Sequence, residues 1–209
     1  MTSDTEIYCK CMEELLPRFR LSKSIFRREI TTGNDWLDAE IVFLQLRKML
    51  ELIAFGSLAA NKTIYATARA KFASDWRAKK ILEYVEDINP NFYPQPLRIE
   101  SITQESKRKH FHLQPLQEGF LTKEEFAQLY DYCGDVLHAR NPFGNAGPVV
   151  HVGRSAQEWL SRIENLVSLH RAQLITGGCW LGAVPDKDGK VHTYTAEPFT
   201  TTLEEQSAS

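Results

Sequence analysis

The stretch Asn34–Ala60, NDWLDAEIVFLQLRKMLELIAFGSLAA, decides the fold. It comes after Thr31-Thr32-Gly33, a cluster of turn-forming residues, and the short amide of Asn34 suits it to cap a helix starting just behind it. Asp35 and Asp38 then stand at the positive end of that helix. Leu37, Ile41, Phe43 and Leu44 give it helical spacing, and from Met49 onward Leu50, Leu52, Ile53, Phe55 and Leu58 spread around the whole cylinder. A helix that is apolar all round belongs at the centre of a core, with other elements packed about it. The spacing therefore predicts a long central helix from Trp36 to about Ala60.

Shorter helices are expected on either side. Ile7, Cys11 and Leu15 recur at i, i+4 and i+8 and predict a helix over Glu6–Leu16, with Pro17 as its break. A second short helical stretch runs from about Ser22 to Ile30. Beyond the central helix, Asp75 opens a helix whose stripe is Trp76, Ile81, Leu82, Val85 and Ile88, and Asn89-Pro90 ends it. Thr122-Lys123-Glu124-Glu125 is a capping box ahead of Phe126, Leu129, Tyr130, Cys133 and Leu137, a helix that Pro142 closes. Ser155-Ala156-Gln157-Glu158 is a second capping box, ahead of a last helix marked by Trp159, Ile163, Leu166, Val167 and His170.

Two segments read as β-structure. After the extended, proline-rich loop Asn89–Pro96, the chain alternates: Leu97, Ile99 and Ser101 fall on one side, and Arg98, Glu100 and Ile102 on the other. A polar turn leads to His110, Phe111, His112 and Leu113, which completes a hairpin. Near the C-terminus, Gly178–Val184 and Val191–Glu197 flank Asp186-Lys187-Asp188-Gly189, a good hairpin turn. The fold class is thus mainly α: a bundle of about five helices with two antiparallel β-hairpins (α+β). Residues 1–199 form one domain, with one hairpin after the third main helix and the other at the C-terminal end, and 200–209 form a polar tail. Trp36, Trp76, Trp159 and Trp180 are expected to pack into the core or under the hairpins.

Composition limits the function classes. The chain has 209 residues, 43% of them hydrophobic and 25% charged, which is ordinary for a globular domain and excludes wholesale disorder. A formal charge of −2 argues against coating nucleic acid by charge alone. The start, MTSDTE, does not read as a secretory signal, and the most apolar run, Leu52–Ala60, is too short to span a bilayer. Four cysteines are too few for a disulfide scaffold of this size. A cytoplasmic protein with reduced thiols and no membrane association is expected.

Chemistry-bearing residues concentrate in Tyr130–Asn141, YDYCGDVLHARN. Arg140 falls on the apolar stripe of its helix, where a guanidinium needs a carboxylate, a phosphate or carbonyls. Asp131, Asp135 and His138 share another face at i, i+4 and i+7, so Asp135 is placed to orient or charge the imidazole. One reading is a polar site at this helix end, completed by the Gly/Pro loop and His151. The other is that Arg140 satisfies carbonyls at its own helix terminus and the acids and His138 are a solvated face. A second feature is basic: Arg18, Arg20, Lys23, Arg27 and Arg28 lie in a run with no acid, interleaved with Phe19 and Phe26, and Lys107-Arg108-Lys109 sits at the first hairpin's turn. Such patches either grip a phosphate backbone or simply solvate the surface. Cys9 and Cys11 point to different sides of a helix and His110 and His112 make only a pair, so no metal site is expected. No P-loop, G-x-G-x-x-G or G-x-S-x-G occurs, so no cofactor is expected.

With Arg140-Asn141 at the end of the penultimate helix of a mostly helical chain, the stretch from Trp36 to His170 resembles the HEPN superfamily. Members of that family are often ribonucleases in toxin–antitoxin, phage-defence or RNA-processing systems, and pair an Arg, commonly followed by a polar residue, with a His a few residues on. Arg140 and Asn141 match the start of the motif; His151 comes after ten intervening residues and His138 precedes the Arg. The resemblance implies metal-independent chemistry, with His138 or His151 as general acid or base and Arg140 on the phosphate. Two functions are thus expected: an interaction or nucleic-acid-binding bundle, or a HEPN-type ribonuclease. The partner would be RNA, another protein or a second copy of the chain in a homodimer.

Overall fold

The structure is a computed structural model that describes residues 3–62, 77–105, 108–139, 151–175, 177–183 and 189–196. Its helices are α1 (Asp4–Glu13), α2 (Leu15–Phe26), α3 (Asp35–Ala60), α4 (Ala78–Ile88), α5 (Lys123–Leu137) and α6 (Ala156–Val167). Its strands are β1 (Gln95–Glu105), β2 (Arg108–Pro115), β3 (Leu169–Gln173), β4 (Cys179–Ala183) and β5 (His192–Ala196). The described residues are mainly helical, with a five-stranded antiparallel sheet. Among the described residues no helix is long and apolar enough to cross a membrane.

The central helix lies where its composition requires. Asn34 Oδ1 accepts from the backbone N–H groups of Trp36 and Leu37, so the expected cap is in place. Val42, Leu46, Met49, Leu50 and Ile53 are buried, and α3 touches each of the other described helices. Trp36 is an exception to the expected packing: it is half exposed, and its indole N–H donates to Glu40 Oε1 at 2.6 Å.

Around α3 several boundaries differ from expectation. Pro17 does not break the first helix. The break falls at Glu14, and Pro17 sits in the first turn of α2, where its missing N–H costs no intrahelical bond. Consequently α2 spans Leu15–Phe26 rather than Ser22–Ile30. On α1 the buried face is Tyr8 and Met12, Ile7 and Cys11 are half-buried at its edge, and the buried Leu15 opens α2. Asp75 and Trp76, expected to open α4, lie outside the described residues. The Thr122–Glu125 capping box is reciprocal. The Ser155 box is only half made: Ser155 accepts from Glu158 N–H, but the Glu158 carboxylate pairs with Arg154 at 2.5 Å instead of reaching back.

The sheet order is β2-β1-β3-β4-β5, which joins the segments expected as two separate hairpins. The joining strand is β3. His170, expected on the last helix, lies in β3, because α6 stops at Val167 and Ser168 caps it. Arg171 and Gln173 alternate with buried His170 and Ala172, a two-residue period that the helical reading overran. Asp186, Lys187 and Asp188 lie outside the described residues, but β4 and β5 pair on either side of that turn, from Cys179–Ala196 to Ala183–His192.

β1 and β3 pair only at Gln95–Arg171 and Pro96–His170. Among the described residues, β1 from Leu97 outward is bonded to β2 alone, so the two extend as a two-stranded arm. A β-bulge interrupts its register between Ile99 and Ser101: Ile99 faces Leu113, Ser101 faces His112 and Ile102 faces Phe111. The extra residue, Glu100, rotates the outer part of the strand. Ile99 and Ile102, expected on opposite sides, therefore share one face of the arm with Phe111 and Leu113.

Candidate nucleic-acid interface

The arm presents two chemically different faces. Ile99, Ile102 and Phe111 are 49%, 55% and 55% exposed, a row of large apolar side chains open to solvent. The opposite face is polar: Thr103 and His112 share a hydrogen bond of 3.2 Å, and Gln114 donates to Glu100 at 2.9 Å. Arg108 and Lys109 open β2 at the distal end, in register with Glu105 and Gln104. Lys107 lies outside the described residues. In the sequence Lys107, Arg108 and Lys109 are consecutive cations.

At the root of the arm is a cavity of about 430 Å³, walled by Tyr93, Gln95, Phe120, Arg171 and Gln173 and by the prolines of the Asn89–Pro96 loop. The loop is pinned from several sides. Phe92 is buried, Tyr93 Oη donates to the Leu121 carbonyl at 3.0 Å, and Asn89 Nδ2 donates to Asn61 Oδ1 and to the Gln173 carbonyl. Burial raises the Tyr93 phenol well above its ordinary pKa, with the acids Glu124 and Glu125 adding to the shift. The Gln173 amide donates to the carbonyls of Gly177 and Gly178 at 3.3 and 3.0 Å, and exposed Arg171 is held by Gln95 Oε1.

The basic run on α2 and just past its end is arranged differently. Arg18 pairs with Glu14 and donates to Gln45 at 3.0 Å. Lys23 pairs with Glu164 at 2.6 Å, Arg27 with Glu29 at 3.8 Å, and Arg28 with Asp35 at 2.7 Å. Arg20 is exposed. Four of the five cations expected to meet phosphate are thus next to carboxylates of the same chain. The compensating acid is distant in sequence for Lys23, whose partner is 141 positions away, which a reading of local charge could not detect.

Two of the expected residues, Asp135 and His138, are exposed at the C-terminal end of α5. His138 is the exposed C-cap of α5, and its N–H donates to the Gly134 carbonyl at 2.9 Å. Arg140 and Asn141 lie outside the described residues. Asp135 is exposed on the last turns of α5. Asp131 is engaged elsewhere, paired with Lys79 of α4 at 2.9 Å. His151 is exposed ahead of α6. One residue that the sequence did not single out stands close to His138: Arg47 of α3. Its guanidinium lies over the Tyr130 ring at 4.5 Å, donates to Tyr130 Oη at 3.1 Å and approaches Glu51 at 3.5 Å. A methyl group on Gly134 would sit 3.7 Å from Arg47 Nη1 and 4.0 Å from His138 Cδ2, so both side chains border the same small gap.

The four cysteines are free thiols. Cys9 Sγ meets Thr193 Oγ1 at 3.6 Å, and Cys11 lines an apolar groove of about 490 Å³ between α1 and α3 with Ile7, Leu52, Phe55 and Leu58. Among the described residues no three His, Cys, Asp or Glu side chains gather in a way that could hold a metal ion.

In comparisons with family models, with curated proteins and with solved structures, nothing matches this chain.

Proposed function

We propose that this protein is a nucleic-acid-binding module whose principal contact is the β1–β2 arm. The observation that carries the reading is the placement of Arg108 and Lys109 at the distal end of a two-stranded ribbon, where β1 is past its last pairing with β3 at Pro96; in the sequence Lys107 precedes them directly. A ribbon of this width is a known shape for entering a nucleic-acid groove. Exposed Phe111 and Ile102 add apolar surface to the same ribbon, and stacking of bases on aromatic rings is tolerant of sequence. The net charge of −2 fits a protein that holds nucleic acid at one place.

The test is fluorescence anisotropy with labelled single-stranded and duplex oligonucleotides across a salt series. Wild-type affinity is expected to fall with salt, with a log–log slope of about −0.7 to −0.9 per phosphate contacted. Charge reversal of Lys107, Arg108 and Lys109 is expected to lower both affinity and slope. Reversal of Lys23 and Arg27, whose charges already meet Glu164 and Glu29, is expected to change them much less. Binding that ignores salt, or that depends on α2 rather than on the arm, overturns the reading. The ribonuclease implied by the HEPN resemblance makes a separate demand: RNA must be cut in the presence of EDTA, and Arg140→Ala must abolish the cutting.

A further inference from the structure

We infer that the cavity at the root of the arm receives an unpaired nucleobase, so that the protein selects single-stranded or locally opened nucleic acid over intact duplex. This rests on the nucleic-acid reading and specifies its substrate. Three observations lead to it. The volume, about 430 Å³, falls within the range of small-ligand sites and is ample for one base with part of its ribose. The lining has the chemistry that binds a base: the Phe120 ring for a π-face, the Arg171 guanidinium for stacking or for an adjacent phosphate, and the Gln95 and Gln173 amides at the edge. The walls are preformed. Pro90, Pro94 and Pro96 stiffen the loop, Tyr93 is tied to Leu121, and Gln173 is tied to the backbone of the β3–β4 turn, so little ordering remains to be done on binding.

Position supplies the link to the arm. Gln95 and Pro96 are both the first residues of β1 and part of the cavity wall, and Arg171 is the β3 residue paired with Gln95. A strand whose backbone runs along the ribbon toward Lys109 therefore passes the cavity mouth at the other end. The arm from Leu97 to Glu105 is nine residues, roughly 30 Å at the rise of a β-strand, which is several nucleotides of extended single strand. A base inside a duplex shows only its edges, so its face cannot meet the Phe120 ring without leaving the stack.

The experiment compares wild type, Phe120→Ala and Arg171→Gln against an unstructured single strand, a fully paired duplex, and the same duplex carrying one unpaired 2-aminopurine. The wild type is expected to prefer the single strand and the bulged duplex over the paired duplex by at least tenfold at equal salt. The bulged probe should also show a change in 2-aminopurine fluorescence on binding. Each substitution is expected to reduce binding of the single strand and bulge by about fivefold or more, the lower bound for one lost base stack, and to leave duplex binding unchanged. Arg171 is exposed, so its replacement spares the core and remains informative if Phe120→Ala proves unstable. Equal affinity for all three probes, or losses that are the same for duplex and single strand, overturn the cavity assignment while leaving the arm reading intact. Absence of binding to every probe overturns both.

Discussion

Tyr8 on α1 and His170 on β3 share a buried hydrogen bond although 162 positions separate them in sequence. His170 Nδ1 lies 3.0 Å from the Val167 carbonyl, which can only accept, so Nδ1 carries the proton and Nε2 accepts from the Tyr8 hydroxyl. The pair joins the N-terminal helix to the middle of the sheet, with the Trp180 ring edge-on to Tyr8 at 5.4 Å. Both residues are sealed from solvent. Burial raises the Tyr8 phenol above its ordinary pKa and depresses the His170 imidazole to about 4.

That geometry makes the fold acid-sensitive in a defined window. An unfolded His titrates near 6.5, so between about 6.5 and 4 the unfolded chain holds a proton that the folded chain refuses. Stability from this site is complete above pH 6.5 and is lost as pH falls toward 4, amounting to roughly 3 kcal/mol for a shift of this size. Urea unfolding at about pH 7.5, 6 and 5 measures it. His170→Gln is expected to flatten that segment of the profile at a lower overall stability; an unchanged slope would assign the acid sensitivity to other groups.

Gly182 is required by the same pair. A methyl group there would stand 3.1 and 3.2 Å from His170 Cε1 and Nε2, and 3.4 Å from Tyr8 Oη. A ring fixed by two hydrogen bonds cannot step aside, so Gly182→Ala is expected to cost about 1–3 kcal/mol. Gly56→Ala offers the contrast. Its added methyl would come to 2.7 Å of Met12 Cε, a closer approach, but against the free end of a flexible side chain. Thermal melts are expected to rank Gly182→Ala as the more destabilised, and the reverse order would contradict the rigidity assigned to His170.

The sequence made the helical part of this arrangement legible where one local rule sufficed. Asn34 as a cap, the all-round apolar α3 and the Thr122–Glu125 box each depend on residues within a few positions of one another. It failed where the deciding partner was distant or the period changed abruptly. His170 continued the helical spacing of Trp159, Ile163 and Leu166, and nothing local marks the switch to a strand at Leu169. Glu100 looks like an ordinary outward residue of β1. Only its lack of an opposite partner on β2 reveals the bulge that moves Ile102 beside Ile99. Of the candidate site, the composition of the arm's turn was legible, but its isolation from the body was not, because that depends on β3 ending its pairing at Gln95 and Pro96. The cations of α2 drew attention for their clustering, and their partners Glu164 and Asp35 come from outside the cluster.

Thiol chemistry separates the cysteines in the native state. Burial raises Cys133 to about 12, with Arg47 opposing and Glu51 reinforcing the shift, and burial beside Glu14 raises Cys11 to about 11. The thiolate is the nucleophile, so at about pH 8 these two side chains are almost entirely in the unreactive form. Alkylation by iodoacetamide, followed by peptide mass spectrometry, is expected to label Cys11 and Cys133 at least tenfold more slowly in native protein than in urea. Labelling of Cys133 at the unfolded rate would mean that the α3–α5 contact opens readily in solution.

The apolar face of the arm gives the sharpest division between folding and function. Ile102 and Phe111 face one another across the ribbon with more than half of each side chain in water, so removing them takes little from the core. Surface changes of this kind usually stay within about 0.5 kcal/mol, although the cross-strand contact itself can add a few tenths more. Ile102→Thr with Phe111→Thr retains β-forming residues and is expected to shift the urea midpoint only slightly. On the nucleic-acid reading, the same pair of changes is expected to weaken single-strand binding by about fivefold or more, the scale of one lost base–aromatic stack. The slope of affinity against salt is expected to remain that of the wild type, because Arg108 and Lys109 are untouched. A large loss of stability would instead mean that this face is covered in the folded protein. Unchanged binding with unchanged stability would confine the arm's contribution to its charges.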